Sequence, residues 1–190
     1  MRCRGNCNGG ALDLRFGRTG RTRPWERDMT IEPSEHLFDA RAEYLRAIDA
    51  VIASAKRTLC VFDSDLKQLE LDTPGRSGAL AAFLGGGRDC RLHIVLHDID
   101  FVDRYCARFN LLRRRFSHAI EVRQSPEGLR HLADCFILAD DCHAAIRFHV
   151  DHFRGKLLLD NAEASSGWAR RFGDLWLEST TTLPPTQLGL

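Results

Sequence analysis

Apolar and polar positions follow one another along the chain in a way that predicts strands separated by helices. Short apolar runs favour buried strands, whereas longer stretches with apolar residues three or four positions apart favour helices. The predicted strands are 59–62, 91–97, 119–123, 135–139, 144–148 and 156–159. The predicted helices begin near Ser34, near Ser77, at Asp98 or Asp100, and near Ser166. Strands that alternate with helices predict an α/β domain.

The fourth and fifth predicted strands are separated only by a short turn containing Asp141 and Cys142. This spacing favours a β-hairpin, in which the two strands pair directly. A hairpin in an otherwise alternating chain implies a mixed sheet. We therefore expect one α/β domain over residues 29–180, with a mixed β-sheet flanked by helices, followed by a flexible polar tail at 181–190.

Residues 1–28 show no helical or strand periodicity and are rich in glycine and arginine. Seven arginines against three acidic residues give this segment a charge of +4, so the rest of the chain carries −3 if the total is +1. We expect a disordered basic arm, and Met29 is an alternative start that would leave the arm outside the native protein. The alternative is an arm that contacts nucleic acid or a membrane. The mildly acidic body gives no general electrostatic reason to expect nucleic-acid binding.

The sequence has no apolar run of the length that a signal peptide or a membrane span requires. A cytoplasmic protein without membrane contact is therefore expected. Its seven cysteines form an odd number without paired spacing in the body, and Cys60, Cys90 and Cys135 fall within or beside apolar runs. Buried, reduced thiols are the preferred interpretation. No cofactor is expected.

Side chains suited to a phosphate site concentrate between residues 130 and 160. Imidazole titrates near neutrality, and a guanidinium group holds an oxyanion with two hydrogen bonds. The candidate ligand-binding residues in this stretch are His131, Asp140, Arg147, His149, Arg154 and Lys156. The alternative is a surface hairpin with scattered polar residues. The segments 97–100 and 149–152 also combine histidine with aspartate, but structural histidines are preferred there over metal ligands.

Two acidic pairs follow predicted strands. Asp63 and Asp65 come after the first strand, and Asp140 and Asp141 after the fourth. Such pairs at the carboxyl edge of a parallel sheet can hold Mg²⁺ while one aspartate attacks phosphorus. The segments VFDSDL and ILADD resemble the first and last motifs of haloacid-dehalogenase-type phosphatases, although Lys67 and the absence of a lysine between it and Lys156 depart from that pattern. The alternative is that these aspartates cap helices and turns.

From Arg41 to Glu178, the order helix, strand, helix, strand, helix, strand, hairpin, helix resembles one phospholipase-D-type domain. In that family the strand before the hairpin carries the motif HxKxxxxD, whose histidine is the nucleophile and whose lysine holds the phosphate. Aligning the motif's aspartate with Asp140 places Ala133 at the histidine position and Cys135 at the lysine position. The resemblance therefore implies a phospholipase-D-like sandwich that has lost hydrolysis.

Degenerate domains of this kind occur in bacteria, alone or fused to acetyltransferases, so the resemblance implies binding of a phosphate-bearing ligand or of a protein partner such as an acetyltransferase. The alternatives are a divergent phosphodiesterase that uses His131, a magnesium-dependent phosphatase, and a purely structural interaction module. Because phospholipase-D-type sites are assembled from two facing domains, a single domain is also expected to form a homodimer along the sheet edge that carries Asp140. Phe148, His149 and Phe153 are the apolar and aromatic residues expected at that interface.

Overall fold

The structure is a computed structural model that describes residues 33–182. The strands are β1 Ser34–Phe38, β2 Thr58–Asp63, β3 Arg91–Leu96, β4 Ile120–Gln124, β5 Cys135–Ala139, β6 His143–His149, β7 His152–Leu159 and β8 Thr180–Thr181. The helices are α1 Arg41–Ser54, α2 Pro74–Gly85, α3 Asp100–Tyr105, α4 Ala107–Arg115 and α5 Ala162–Glu178, with a 3₁₀ turn at Glu127–Leu129. Helices and strands alternate along most of this part of the chain, as expected.

Within the described residues, all strands join one sheet in the order β1-β7-β6-β5-β2-β3-β4-β8. The central strands β2, β3 and β4 run parallel to one another. The other neighbouring strands pair antiparallel, including the hairpin of β5 and β6. The predicted mixed sheet and the predicted hairpin are therefore confirmed.

Apolar side chains pack on both faces of the sheet, because successive strand residues point to opposite sides. On one face, α1 contributes Tyr44, Ile48 and Val51 to a large buried cluster that also includes side chains from α2 and α4. On the other face, Phe172 and Leu175 of α5 pack over β2, β5 and β6. No helix within residues 33–182 combines the length and the apolarity needed to cross a membrane.

The helix predicted to begin at Ser34 is wrong, because residues 34–38 form β1 instead. Strand pairing with β7 places Phe38 opposite Gly155 and buries the Phe38 ring, which a helix at this position would not do. Helix α1 begins only at Arg41, where the carbonyl of Ala40 accepts the first helical hydrogen bond, from the Tyr44 amide. The apolar periodicity thus located the helix but placed its start too early.

Three other helix boundaries differ from the predictions. Helix α2 begins at Pro74 rather than at Ser77, since proline suits the first helical position. The helix predicted from Asp98 or Asp100 begins at Asp100 and is interrupted at Cys106, where Asn110 donates hydrogen bonds to the carbonyls of Val102 and Asp103. Helix α5 begins at Ala162, and its N-cap Asn161 accepts a hydrogen bond from the Ala164 amide.

Strand pairing continues slightly into the segment expected as a tail. Thr181 pairs with Arg123, which places β8 beside β4. The rest of that segment, from residue 183, and the basic segment 1–28 lie outside the described residues. Their predicted character remains a prediction.

Candidate functional site

Asp63 and Asp140 lie at opposite ends of one pair of strands. Strand β5 runs antiparallel to β2 and brings Ala139 opposite Leu59, so Asp140 lies beside the start of β2. Asp63 ends the same strand, about 17 Å further along at the usual rise per residue. The two acidic pairs cannot share a magnesium ion across this distance. The hypothesis of a phosphatase built on these motifs is therefore wrong, because it assumed that both strands end at the same edge.

Asp140 joins the β5–β6 turn to the connection between α1 and β2. Its carboxylate accepts hydrogen bonds from the backbone amides of Lys56 (2.6 Å), Arg57 (2.9 Å) and Thr58 (2.8 Å). Burial alone would raise the pKa of this carboxyl group, but the three amides outweigh it and lower the pKa below its ordinary value. Asp140 is thus occupied by backbone contacts, as the turn-and-cap interpretation predicted.

The end of the sheet that carries Asp63 holds a row of directly opposed residues. Phe38 lies opposite Gly155, Gly155 opposite Arg147, and Arg147 opposite Cys135. Because Phe62 pairs with Phe136, Asp63 follows in the same row. Opposed residues point to the same face, which here is the face covered by α1. The row includes Cys135, the position at which the phospholipase-D motif has its lysine.

Arg147 is the central side chain of this row and is fully buried. Its guanidinium carbon lies 5.1 Å from the ring centroid of Tyr44 and 5.5 Å from that of Phe153. Its Nη2 atom lies 3.5 Å from Cys135 Sγ and 3.9 Å from Asp63 Oδ2. These five residues are called the Arg147 cluster below.

Burial dominates the electrostatics of the Arg147 cluster. It raises the pKa of Asp63, and the nearby Arg147 and the backbone amides of Asp65 and Leu66 oppose this only in part. It also raises the pKa of the Cys135 thiol to about 12, and that of Tyr44 above its usual value. A thiol with such a pKa stays protonated at neutral pH and is a poor nucleophile.

Several polar atoms of the Arg147 cluster are buried without a hydrogen bond to the described residues. These atoms are Tyr44 Oη, Asp63 Oδ2, Arg147 Nε and Arg147 Nη1. Groups in this condition raise the free energy of the folded state unless charge attraction or ring contacts compensate. The cation–π contacts of Arg147 with Tyr44 and Phe153 are one such compensation.

The remaining candidates do not converge on this cluster. His131 lies in a turn before β5, where its Nδ1 is 2.8 Å from the Gly128 carbonyl. Because His131 lies in this turn, it does not share a strand face with the motif positions before and in β5, contrary to expectation. Lys156 Nζ lies 3.5 Å from the Glu35 carboxylate on β1. Asp65 pairs with Lys67 at 2.6 Å.

His149 and Arg154 lie near the turn that joins β6 to β7. His149 is half-exposed, and its Nδ1 accepts a hydrogen bond from the Asp151 amide at 3.2 Å. Arg154 is exposed and lines a cavity together with Phe148 and Leu37. The candidate site is thus divided between a buried cluster and an exposed turn.

The structural interpretation of His97 is confirmed. Its Nδ1 lies 2.6 Å from Ser125 Oγ, and its Nε2 lies 2.9 Å from the Leu132 carbonyl, so both ring nitrogens are occupied. Within residues 33–182, no group of three or more histidine, cysteine, aspartate or glutamate side chains is arranged to hold a metal ion.

The proposed dimer edge also requires correction. Phe148 and His149 lie at the end of β6 that is opposite to the turn carrying Asp140. Phe148 is exposed, whereas Phe153 is partly buried against Tyr44. Phe148 and His149 therefore do not lie at the end of the sheet that carries Asp140, contrary to expectation.

Sequence reasoning missed Tyr44 and Phe153 as members of the cluster, and treated Cys135 chiefly as a core residue. In the sequence, Tyr44 was recognised only as one of the residues at helical spacing in the first predicted helix. The one signal for the cluster is Arg147 itself, a lone charged residue within the apolar run AAIRF. A charge in such a run is buried only when other polar groups face it.

Solved structures with a similar fold include an archaeal chromatin protein and a phospholipase D family member. An archaeal chromatin protein, TrmBL2, described as showing a novel mode of DNA binding, is similar with a TM-score of 0.60 and 9% identity, over 83% of this chain. This chain spans only 56% of the length of that protein. The phospholipase D family member Nuc from Salmonella typhimurium has a TM-score of 0.55 and 17% identity, over 80% of this chain and 99% of its own.

NucT from Helicobacter pylori is similar over 80% of this chain and 100% of its own, with a TM-score of 0.52 and 12% identity. These likenesses show a phospholipase-D-like fold, as the element order predicted. No curated protein matches the sequence significantly. The sequence model of one family matches residues 40–184. The chain therefore belongs to that family, which is described as Domain of unknown function (DUF7931).

Proposed function

We propose that this chain is a phospholipase-D-like domain that does not hydrolyse phosphodiesters and that acts by binding a protein partner, in the simplest case a second copy of itself. The observation that carries the proposal is the Arg147 cluster. The position that would hold the substrate phosphate in a phospholipase-D-type site is Cys135, which is buried beside Arg147.

The loss of hydrolysis follows from what the motif positions contain. Ala133 offers no nucleophilic atom, and the Cys135 thiol has a pKa of about 12 because it is buried. Arg147 is enclosed by the rings of Tyr44 and Phe153 and presents no surface to a substrate. Because His131 is hydrogen-bonded in a turn before β5, it does not lie in the row with Cys135.

The exposed end of the β6–β7 hairpin supports a protein partner over a phosphate-bearing ligand. Of the basic candidates, Arg147 is buried and Lys156 lies near Glu35, which leaves Arg154 as the exposed cation. Beside it, Leu37 is 78% and Phe148 44% exposed. Exposed apolar side chains grouped with a few polar ones are typical of protein interfaces.

Strand β1 supports self-association in particular. It is the outermost strand at one end of the sheet, and among the described residues it pairs only with β7. An edge strand with free backbone groups can pair with the same strand of a second copy, and a twofold axis then closes the assembly. Leu37 and Phe148 would be buried near such a contact.

Hydrolysis is tested with bis(p-nitrophenyl) phosphate and purified protein. We expect no release of nitrophenol above that of buffer. His131→Ala is compared with His118→Ala, which changes another exposed histidine outside the motif. Turnover that is lost in His131→Ala and kept in His118→Ala would show a phosphodiesterase with a shifted nucleophile, and would end the first half of the proposal.

Self-association is tested by light scattering over a range of micromolar concentrations. We expect a mass that rises towards two chains in the unaltered protein and stays near one chain in Phe148→Asp. Leu111→Asp is the matched control, since Leu111 is 61% exposed on α4, away from β1. A mass of one chain at every concentration would contradict the dimer. A thermal midpoint that rises with inorganic phosphate only when Arg154 is present would then favour the phosphate-bearing ligand instead.

A further inference from the structure

A cavity of about 350 Å³ lies between the segment that follows β2 and the junction of α3 with α4. Its apolar lining comes mainly from Leu66, Leu71, Pro74, Phe101 and Tyr105. Both flanking segments follow the carboxyl ends of parallel strands, β2 and β3. In α/β sheets this is the edge at which ligands bind. The cavity does not include any residue of the Arg147 cluster.

The wall formed by residues 64–73 is held in place by internal contacts. Leu66 and Glu70 adopt left-handed backbone conformations, with φ of 67° and 49°. Asp63 Oδ1 accepts hydrogen bonds from the amides of Asp65 and Leu66, both at 3.1 Å. Arg76, on α2, donates to the Leu69 carbonyl at 3.0 Å. Bulky residues keep left-handed conformations only where the surroundings impose them, so the cavity is preformed.

The opposite wall presents two aromatic rings. Phe101 and Tyr105 lie with their ring centroids 5.4 Å apart and their planes inclined by 36°. Tyr105 is 68% exposed although it borders an apolar cavity. An aromatic ligand could pack against this pair in the offset or edge-on arrangements that aromatic rings prefer.

Two cations stand at the rim of the cavity. Lys67 Nζ lies 5.2 Å from the Phe101 ring centroid and 2.6 Å from Asp65 Oδ2, and its side chain is half-exposed. Arg108 Nη1 lies 3.8 Å from Asp72 Oδ2. Each carboxylate engages only part of the donors of its cation, since an ammonium group has three N–H donors and a guanidinium group five.

The acidic groups of the lining are committed to other partners. The Glu70 carboxylate is paired with Arg41 and Arg76. Asp72 Oδ1 accepts a hydrogen bond from the Phe109 amide at 2.8 Å. Lys67 and Arg108 are therefore the charged donors of the lining that keep free N–H groups, and the Tyr105 hydroxyl adds a neutral one.

We propose that this cavity binds a small planar aromatic ligand that carries one anionic group. The ring lies against Phe101 and Tyr105, and the anion accepts hydrogen bonds from Lys67 and Arg108. The volume is near the lower end of the range for small-molecule sites, so a ligand of one or two fused rings fits. This proposal does not depend on the proposed self-association or on the loss of hydrolysis.

The test uses 2-naphthoate as the probe and follows its binding by protein-observed NMR titration of the full chain. We expect saturable shifts in the amides of residues 64–73 and 101–108. Tyr105→Ala should weaken the affinity about tenfold through loss of ring packing, and Lys67→Gln by a similar factor through loss of a charge-assisted hydrogen bond. Both side chains are at least half-exposed, so neither substitution threatens the fold.

Two controls make the result specific. Leu111→Ala removes an exposed apolar side chain that does not line the cavity, and it should leave the affinity unchanged. Naphthalene-2-methanol, which has the ring without the charge, should bind more weakly than 2-naphthoate and should be insensitive to Lys67→Gln. The absence of saturable shifts at millimolar 2-naphthoate would overturn the proposal, and so would equal binding by the Tyr105→Ala variant.

Discussion

Arg147 Nη2 lies 3.9 Å from Asp63 Oδ2, and neither side chain is more than 1% exposed. The two groups attract one another through a medium of low dielectric constant, but at this separation they do not form a hydrogen bond. The charge attraction must therefore offset the desolvation of both groups without the added stabilisation of a hydrogen bond. If one member of such a buried pair is removed, the other is left as an uncompensated charge. The stability of the folded state therefore depends on both members.

The first prediction is that Asp63 and Arg147 are energetically coupled. Arg147→Met leaves the Asp63 carboxyl group buried without its counter-charge, and we expect it to lower the free energy of unfolding by about 3 kcal/mol. The double variant Asp63→Asn with Arg147→Met should lose less than the sum of the two single variants. Urea denaturation of all four proteins measures the coupling. Additive losses would show that the two charges do not interact.

The second prediction concerns the pH dependence that Asp63 produces. Burial raises its pKa in the folded protein, whereas an unfolded aspartate titrates near 4. The folded state therefore holds the proton more tightly, and the stabilisation is fully present below about pH 4 and is lost as the pH rises through the raised pKa. As the pH rises from about 4 through the raised pKa, the thermal midpoint of the unaltered protein should fall relative to that of Asp63→Asn. A constant difference between the two proteins would refute the shift.

The third prediction is that Asp140 stabilises the fold through backbone contacts. Asp140→Ala removes the acceptor for the amides of Lys56, Arg57 and Thr58 and should lower the free energy of unfolding by about 2 kcal/mol. Asp141→Ala is the control, since Asp141 is exposed and has a similar left-handed conformation, with φ of 58° against 50°. Equal losses in the two variants would assign the effect to the turn conformation rather than to the hydrogen bonds.

Asp140 should also produce a pH dependence opposite to that of Asp63. Because its folded pKa is lowered, its contribution is present above the unfolded value near 4 and is lost as the pH falls through the folded pKa. Denaturant midpoints measured at falling pH should converge for Asp140→Asn and the unaltered protein.

The fourth prediction is that the row through Arg147 requires a glycine on β7. A Cβ atom at Gly155 would lie 2.6 Å from the Phe38 ring and would overlap the Ile146 carbonyl oxygen. Gly155→Ala should therefore lower the free energy of unfolding by about 3 kcal/mol through overpacking. Gly173→Ala is the matched control, because Gly173 lies in α5 with open space around it, and alanine there should raise stability by about 0.5–1 kcal/mol. A tolerated Gly155→Ala in a thermal melt would mean that both Phe38 on β1 and the β6 backbone at Ile146 can shift to admit the methyl group.

The sequence by itself determined the elements whose signal is local. The apolar run 59–62 identified β2, and the two runs flanking Asp141 identified the β5–β6 hairpin, because strand burial depends on consecutive side chains. Order and type of these elements were enough to indicate a phospholipase-D-like domain. The local signal failed at Ser34, since β1 exists only through its pairing with β7, more than 100 residues away.

Only the tertiary structure decided which chemical groups meet. Strand direction depends on pairing between distant segments, and the antiparallel course of β5 separates Asp140 from Asp63 although both follow apolar runs. The same pairing brings Arg147 between Cys135 and Gly155 and buries it, whereas the sequence made Arg147 a candidate ligand for phosphate. Whether a charged side chain faces solvent or the core is set by the elements packed above it, here α1 with Tyr44, and no periodicity within β6 contains that information.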